Sequence, residues 1–367
     1  DFWFGTHHGG LYRLKHNSDS IIIYDSKRDG LAHNWVSCIT EDSRGNVWVG
    51  TWGGGITRFS GNKLKTFNGS NGLIDEKIYT ISEDFEGNLM IGTNEHGLLI
   101  YKGGKFITYN ENDGLSDKHV WAIQQDRYNR IWFGTNKGIT LYDPSNESRK
   151  KMVYFNQKTD MIGDQIRYIK EDRNGNIWIG TNENKIIQYL IDRKKFFYHP
   201  LLNNVLQQMK FSNLDIDDEN NLWIGTLDGI IHYDIDNDKV KRISQVDGLA
   251  GNYITSVYND REGRIWVGVR YSGLTLIEDG RFKQIKTSQE ITPISIVQDH
   301  NNRIWIGTNS KGVFLYESDS LVQKYTKDNG LLSNHITLLN VDKKDQLYIG
   351  TNRGLNKIMQ PCGNIYT

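Results

Sequence analysis

Aromatic and cationic side chains gather at one register of this chain. Trp35, Tyr79, Trp121, Arg167 and Tyr253, with Lys77, His119 and His335, flank the start of a recurring short strand. His7, His8, Trp52, Asn94, Glu95, His96, Arg270 and Tyr271 fall in the bend that follows the next strand. Aromatic planes stack on sugar rings, while Arg, Asn and His supply directed hydrogen bonds, so this mixture suits a carbohydrate site. The residues assigned to ligand contact are Trp35, Trp52, Tyr79, Trp121, Arg167, Tyr253, Arg270, Tyr271, His7 and His96. Trp52 and the pair Arg270–Tyr271 stand out, since most copies carry Asn or a small polar residue there. Any one of these side chains, taken alone, would serve as well in packing between repeats.

Catalytic chemistry finds less support. The ten histidines show no zinc-binding spacing. There is no Gly-x-Ser-x-Gly element and no phosphate-binding glycine loop, because Gly53-Gly54-Gly55 opens a strand and not a helix. The acidic runs Asp215–Asn220 and Asp234–Asp238 lack the central Gly and final Glu of a calcium loop, so they read as solvated turns. A glycosidase or lyase would need a converging acid and base, yet the carboxylates sit in repeated turn positions. The expectation is no catalytic residue, no metal and no cofactor. Lys+Arg and Asp+Glu balance at 44 each, which argues against a duplex nucleic-acid partner. No apolar run reaches the ~18 residues that would suggest a membrane-spanning helix. Two cysteines, Cys38 and Cys362, lie in unlike contexts and suggest no disulfide framework. Cys38 reads as a small apolar filler of a core strand.

The elements that must position these side chains follow from a repeat. A Gly-Thr pair or its equivalent falls at Gly5, Gly50, Gly92, Gly134, Gly180, Gly225, Gly268, Gly307 and Gly350, a spacing of 39 to 46 residues. Seven tryptophans (Trp3, Trp48, Trp132, Trp178, Trp223, Trp266, Trp305) share one column of it, completed by Met90 and Tyr348. One unit reads as four short strands: A over Val36–Thr40, B over Val47–Thr51, C over Ile56–Phe59 and D over Lys63–Phe67. Turn residues separate them: Asp42–Asn46, Gly53–Gly55 and Gly61-Asn62. Such sheets must bury both faces and protect both edges, which radial stacking achieves. The fold class expected is all-β: a β-propeller of four-stranded antiparallel blades, about 42–45 residues per repeat. Seven repeats read as complete, with a partial one at each end: the first without strand A, the last without strand D. One array covers residues 1–367. Two places break the pattern, a helical crossing over His199–Met209 and a short link over Lys286–Pro293.

The consensus Val-x-x-Ile-x-x-Asp-x-x-Gly-Asn-x-Trp-Ile-Gly-Thr, followed downstream by Asp-Gly-Leu-x-x-Asn, resembles the two-component regulator propeller repeat. Asp172–Thr181 and Asp29–Asn34 are instances. The resemblance implies the periplasmic sensor region of a hybrid two-component system of the Bacteroidetes type. It implies an oligosaccharide signal, a homodimer formed through the sensor region, and a histidine kinase lying outside this sequence. Nine partial or complete copies fit a piece of the family's usual pair of seven-bladed rings, or a larger single ring; the array is expected to be a fragment of a larger tandem-propeller ectodomain. Two rival functions stand beside that one: a propeller polysaccharide lyase or glycosidase, and a pure dimerisation scaffold. The Asp-x-x-Gly-Asn-x-Trp element also resembles the Asp-box of sialidases, a hairpin staple remote from catalysis. Asp42 and its equivalents are therefore expected to accept backbone hydrogen bonds in the A–B turn.

Overall fold

The computed structural model describes the chain except for residues 16–20, 144–151, 157–162, 164, 208, 218, 286–289, 343–344, 360–363 and 367. Cys362 lies outside the described residues. Nine antiparallel sheets, here blades 1 to 9, succeed one another along the chain, and within each the strands pair in sequence order. Blades 1–5 belong to a compact unit, Asp1–His199, and blades 6–9 to a second, Pro200–Thr367. Within each unit the strands A of successive blades lie side by side. These are propeller blades.

Blade 1 has three strands, Phe2–Gly5, Leu11–Leu14 and Ile21–Tyr24, corresponding to B, C and D. Blade 9 corrects the expected count. Asn364–Tyr366 pairs antiparallel with Gly354–Met359 and supplies the strand D thought missing. Eight blades are therefore four-stranded, not seven. The strand escaped notice because three residues behind Pro361 and Gly363 are too short to show an alternating pattern. The crossing after His199 is helical as expected, over Pro200–Leu206, with proline at the first position, where its missing N–H costs nothing.

Each conserved letter of the repeat has a physical task. In blade 2, Asp42 Oδ1 accepts the N–H groups of Arg44 and Asn46, while Oδ2 accepts the Trp48 indole N–H at 2.8 Å. The same indole bond recurs from Trp132 to Asp126, Trp178 to Asp172, Trp223 to Asp217, Trp266 to Asp260 and Trp305 to Asp299, at 2.7–2.9 Å. Thus Asp and Trp six residues apart staple the A–B hairpin, and the Asp column is structural. In blade 9 the Tyr348 hydroxyl donates to Asp342 at 3.2 Å instead. In seven blades the Thr after that glycine closes the B–C bend, as when Thr51 Oγ1 donates to the Gly55 carbonyl at 2.8 Å.

Burial joins the blades. Trp48 packs with Ile78, Ile81 and Ile91 of the next blade, and Trp132 likewise with Ile166, Ile169 and Ile179. Every residue of strand B from Val47 to Thr51 is buried. The glycine of the Gly-Thr pair lets the next strand A approach. A Cβ at Gly134 would lie 2.9 Å from Ile166 Cγ2, and one at Gly225 equally close to Ile254 Cγ2. Those separations are below van der Waals contact, so glycine is required there by proximity and not by backbone angle. Cys38 sits in the same seam as a packed side chain, where burial pushes its thiol up to about 11.

Candidate functional site

Two backbone devices bring the sequence-predicted residues together. The first is a β-bulge at the start of strand A. The register slips between Val36 and Cys38, Ile78 and Thr80, Val120 and Ala122, and Ile166 and Tyr168. The residue skipped in the last three cases is Tyr79, Trp121 or Arg167. A bulged residue is freed from the ladder and its side chain re-aimed. The second device is a hydrogen bond from the first residue of the B–C bend to the residue just before strand A. Trp52 N–H donates to the Trp35 carbonyl at 2.9 Å, and Arg270 N–H to the Tyr253 carbonyl at 2.8 Å.

In the first unit these devices build an unbroken row of rings. His7 lies 3.8 Å from Trp35 between centroids, Trp35 lies 5.7 Å from Trp52, Trp52 4.9 Å from Tyr79, and Tyr79 4.0 Å from Trp121. The Arg167 guanidinium ends the row, 4.0 Å from the Trp121 ring. His8 stands beside His7 at 4.2 Å, and Lys77 Nζ is 5.9 Å from the Trp52 ring. The row crosses all five blades of this unit. Its central members are half-buried and the two histidines exposed.

The polar edges of the row are fixed from the B–C bends. Tyr79 OH donates to Asn94 Oδ1 at 2.5 Å, and Trp121 Nε1 donates to Asn136 Oδ1 at 2.7 Å. Burial pushes the Tyr79 phenol up, with Arg167 pulling it back and Asp75 and Glu95 pushing it further. It therefore stays protonated and donating at neutral pH. Asn136 was not foreseen, although Asn recurs in that column at Asn94, Asn136, Asn182, Asn309 and Asn352.

His96 does not join the row. Its Nδ1 meets Asp75 Oδ2 at 3.1 Å, and the same carboxylate accepts the N–H groups of Lys77 and Glu95. Burial opposes the Asp75 charge, but those hydrogen bonds outweigh it and hold the carboxyl below its usual range. Blade 4 repeats the arrangement: Asp117 takes the His119 N–H, His119 Nδ1 at 2.8 Å and Lys137 Nζ at 3.0 Å. Asp75 and Asp117 each stand three residues after the glycine of the Gly-Leu pair, a signal that sequence reasoning passed over.

Tyr253, Arg270 and Tyr271 form a separate group in the second unit. Arg270 lies 4.9 Å from each tyrosine ring and donates to Tyr271 OH at 3.1 Å. All three are exposed. The ten predicted residues thus divide into six in the row (His7, Trp35, Trp52, Tyr79, Trp121 and Arg167), a three-residue cluster and His96 apart. Among the described residues, no three His, Cys, Asp or Glu side chains gather as they would to hold a metal ion. No helix there is long and apolar enough to cross a membrane.

A family model, two component regulator propeller, matches residues 30–53, 114–137, 160–183, 248–271 and 286–310. The chain carries two-component regulator propeller repeats. Three of the stretches start at the glycine of an Asp-Gly-Leu connection, and all five run through the staple to the B–C bend. They include Trp35, Trp52, Trp121, Arg167, Tyr253, Arg270 and Tyr271. No curated protein matches the chain. The extracellular domain of a hybrid two component system, BT3049, from B. thetaiotaomicron is 23% identical, over 100% of this chain and 56% of that one, with a TM-score of 0.46. This chain therefore spans little more than half the length of that domain. Virginiamycin B lyase from Staphylococcus aureus is 16% identical over 76% of this chain and 92% of that one, with a TM-score of 0.47. The computationally designed Ika8 protein is 11% identical over 88% of this chain and 95% of that one, with a TM-score of 0.55, a likeness of fold.

Proposed function

We propose that this chain is an extracytoplasmic sensor module of a hybrid two-component system, that it is periplasmic, and that it recognises an oligosaccharide on the ring row of blades 1–5. The observation that carries the reading is the continuity of that row. Packing within a seam needs no side chain turned out at a bulge, yet Tyr79 and Trp121 are so placed and their polar edges are held by asparagines. A line of half-buried aromatic faces with fixed hydrogen-bonding edges matches a chain of pyranose rings, apolar on their faces and hydroxylated at their rims. The sensor assignment rests on the matched repeats. In this reading two chains form a homodimer, and ligand favours one arrangement of the pair by binding it more tightly. A kinase elsewhere in the protein reads the change.

The reading assigns no catalytic residue. Two carboxylates of the connections that lead into the row, Asp75 and Asp117, are already engaged by backbone N–H groups, histidine and lysine. The test is a thermal-shift and calorimetric screen of the chain against neutral and charged oligosaccharides, repeated with Trp52→Ala. A rise in melting temperature that the substitution abolishes is expected, since a ligand that binds only the folded state stabilises it. Absence of any shift, with clean dimerisation, would leave a scaffold. Consumption of the glycan would reveal an enzyme.

A further inference from the structure

The ring row ends in charge, and that charge is unspent. Arg167 is half-buried and takes part in no ion pair or side-chain hydrogen bond among the described residues; its contact is the Trp121 face. Lys77, over Trp52, likewise has no ion pair there. The neighbouring acids cannot be its hidden partners, because Asp75 and Asp117 are committed to other donors. Burial opposes the charge on each of those carboxyls and hydrogen bonds restore it, so both are satisfied anions. Exposed Glu95 accepts from Asn94 Nδ2 at 3.3 Å and is an opposing charge felt at Tyr79.

Stacking uses the face of a guanidinium and leaves its edge free. That edge is a planar fork of N–H donors whose geometry matches a carboxylate or sulfate bidentately. The Trp121 ring, 4.0 Å away, holds the Arg167 guanidinium beside the aromatic platform. An unpaired half-buried cation carries a desolvation cost that an anionic ligand would offset.

We propose that the row is selective for acidic oligosaccharides, with Arg167 receiving a carboxylate or sulfate group at one end, Lys77 a second along the row, and Tyr79 and Trp121 lining the path of the intervening sugars. This rests on the carbohydrate reading above and narrows it to one ligand class. Glu95 sets the sense of the field by opposing the same groups.

The experiment is calorimetric titration of the whole chain with three probes of matched length: an oligogalacturonide, a sulfated glycosaminoglycan oligosaccharide and a neutral xylo-oligosaccharide. Variants are Arg167→Gln, Arg167→Lys, Lys77→Gln and Glu95→Gln. Their circular dichroism and melting temperature are checked first, and Arg167→Lys keeps the charge should Arg167→Gln fail to fold. Binding of at least one acidic probe is expected, weakened roughly ten- to a hundredfold by Arg167→Gln. Arg167→Lys should restore part of the loss, since the charge remains without the fork. Lys77→Gln should weaken binding a few-fold, Glu95→Gln strengthen it, and added salt should weaken it throughout. The two acidic probes separate a uronate from a sulfate ligand. A neutral probe binding as tightly as the acidic ones, unmoved by Arg167→Gln, would overturn the charge selectivity and leave the platform standing. No binding of any probe would overturn the carbohydrate reading, and the selectivity with it.

Discussion

Blades 1–5 and blades 6–9 share one scaffold and differ in what they place on it. At the bulge of strand A the first unit carries Ser37, Tyr79, Trp121 and Arg167, whereas the second carries Ser212, Thr255, Ile294 and Thr337. The slip in register is the same in both, as at Ile254–Ser256 and Pro293–Ser295. In blade 7 the bulge side chain is tied to the next blade instead: Thr255 Oγ1 donates to the Pro293 carbonyl at 2.6 Å. Blades 2 and 7 make the sharper pair. The same N–H to carbonyl bond joins Trp52 to Trp35 in one and Arg270 to Tyr253 in the other. In blade 2 the rings go on to meet Tyr79 of the next blade; in blade 7 no comparable ring stands in blade 8, where Ile294 fills the bulge. The backbone supplies a place for a large side chain in every four-stranded blade, and only consecutive occupancy turns places into a surface.

The comparison can be broken first at the scaffold, where the two units should behave alike. Trp132→Ala in blade 4 and Trp266→Ala in blade 7 each remove a buried ring and a buried hydrogen-bond donor. Each should cost about 3–5 kcal/mol in urea unfolding, and a large disparity would mean that the units are not built alike. Gly134→Ala and Gly225→Ala come next: each new Cβ would meet an isoleucine of the neighbouring blade, at an expected cost of about 1–3 kcal/mol. At the decorated face the units should part. Trp121→Ala should weaken oligosaccharide binding roughly tenfold, or about 1.4 kcal/mol, while Tyr253→Ala leaves it unchanged. The reverse result would move recognition to blade 7. The smallest effect concerns acid. Burial raises the Asp42 carboxyl, but hydrogen bonds from Trp48, Asn46 and the turn backbone prevail and hold it below its ordinary value. A carboxyl depressed in the folded state stabilises above its unfolded pKa of about 3.9, and that stability is lost as pH falls through the folded value. Asp42→Asn should therefore flatten the fall in melting temperature below about pH 4.

The repeat was legible because its parts are close in sequence. Asp42 and Trp48 are six residues apart, and the staple they form lies within one hairpin. The row was legible as residue types but not as a row. Tyr79 and Trp121 touch only because two blades stack, and nothing local distinguishes that pair from Tyr253 and Ile294. His96 shows the opposite failure: it occupies a bend that looks equivalent, but a carboxylate from the preceding connection claims its ring. Strand D of blade 9 was lost to its brevity.

The split of the ten tryptophans has an optical consequence. Seven belong to the staple column, and those of blades 2 and 4 to 8 sit in apolar seams with their N–H groups bonded to carboxylate. Trp35, Trp52 and Trp121 lie half-buried in the row. The buried set should emit toward the blue and resist iodide quenching, while the row emits toward the red and is quenched. The row tryptophans are thus a built-in test of the proposed site, since an oligosaccharide bound there would shield them from iodide.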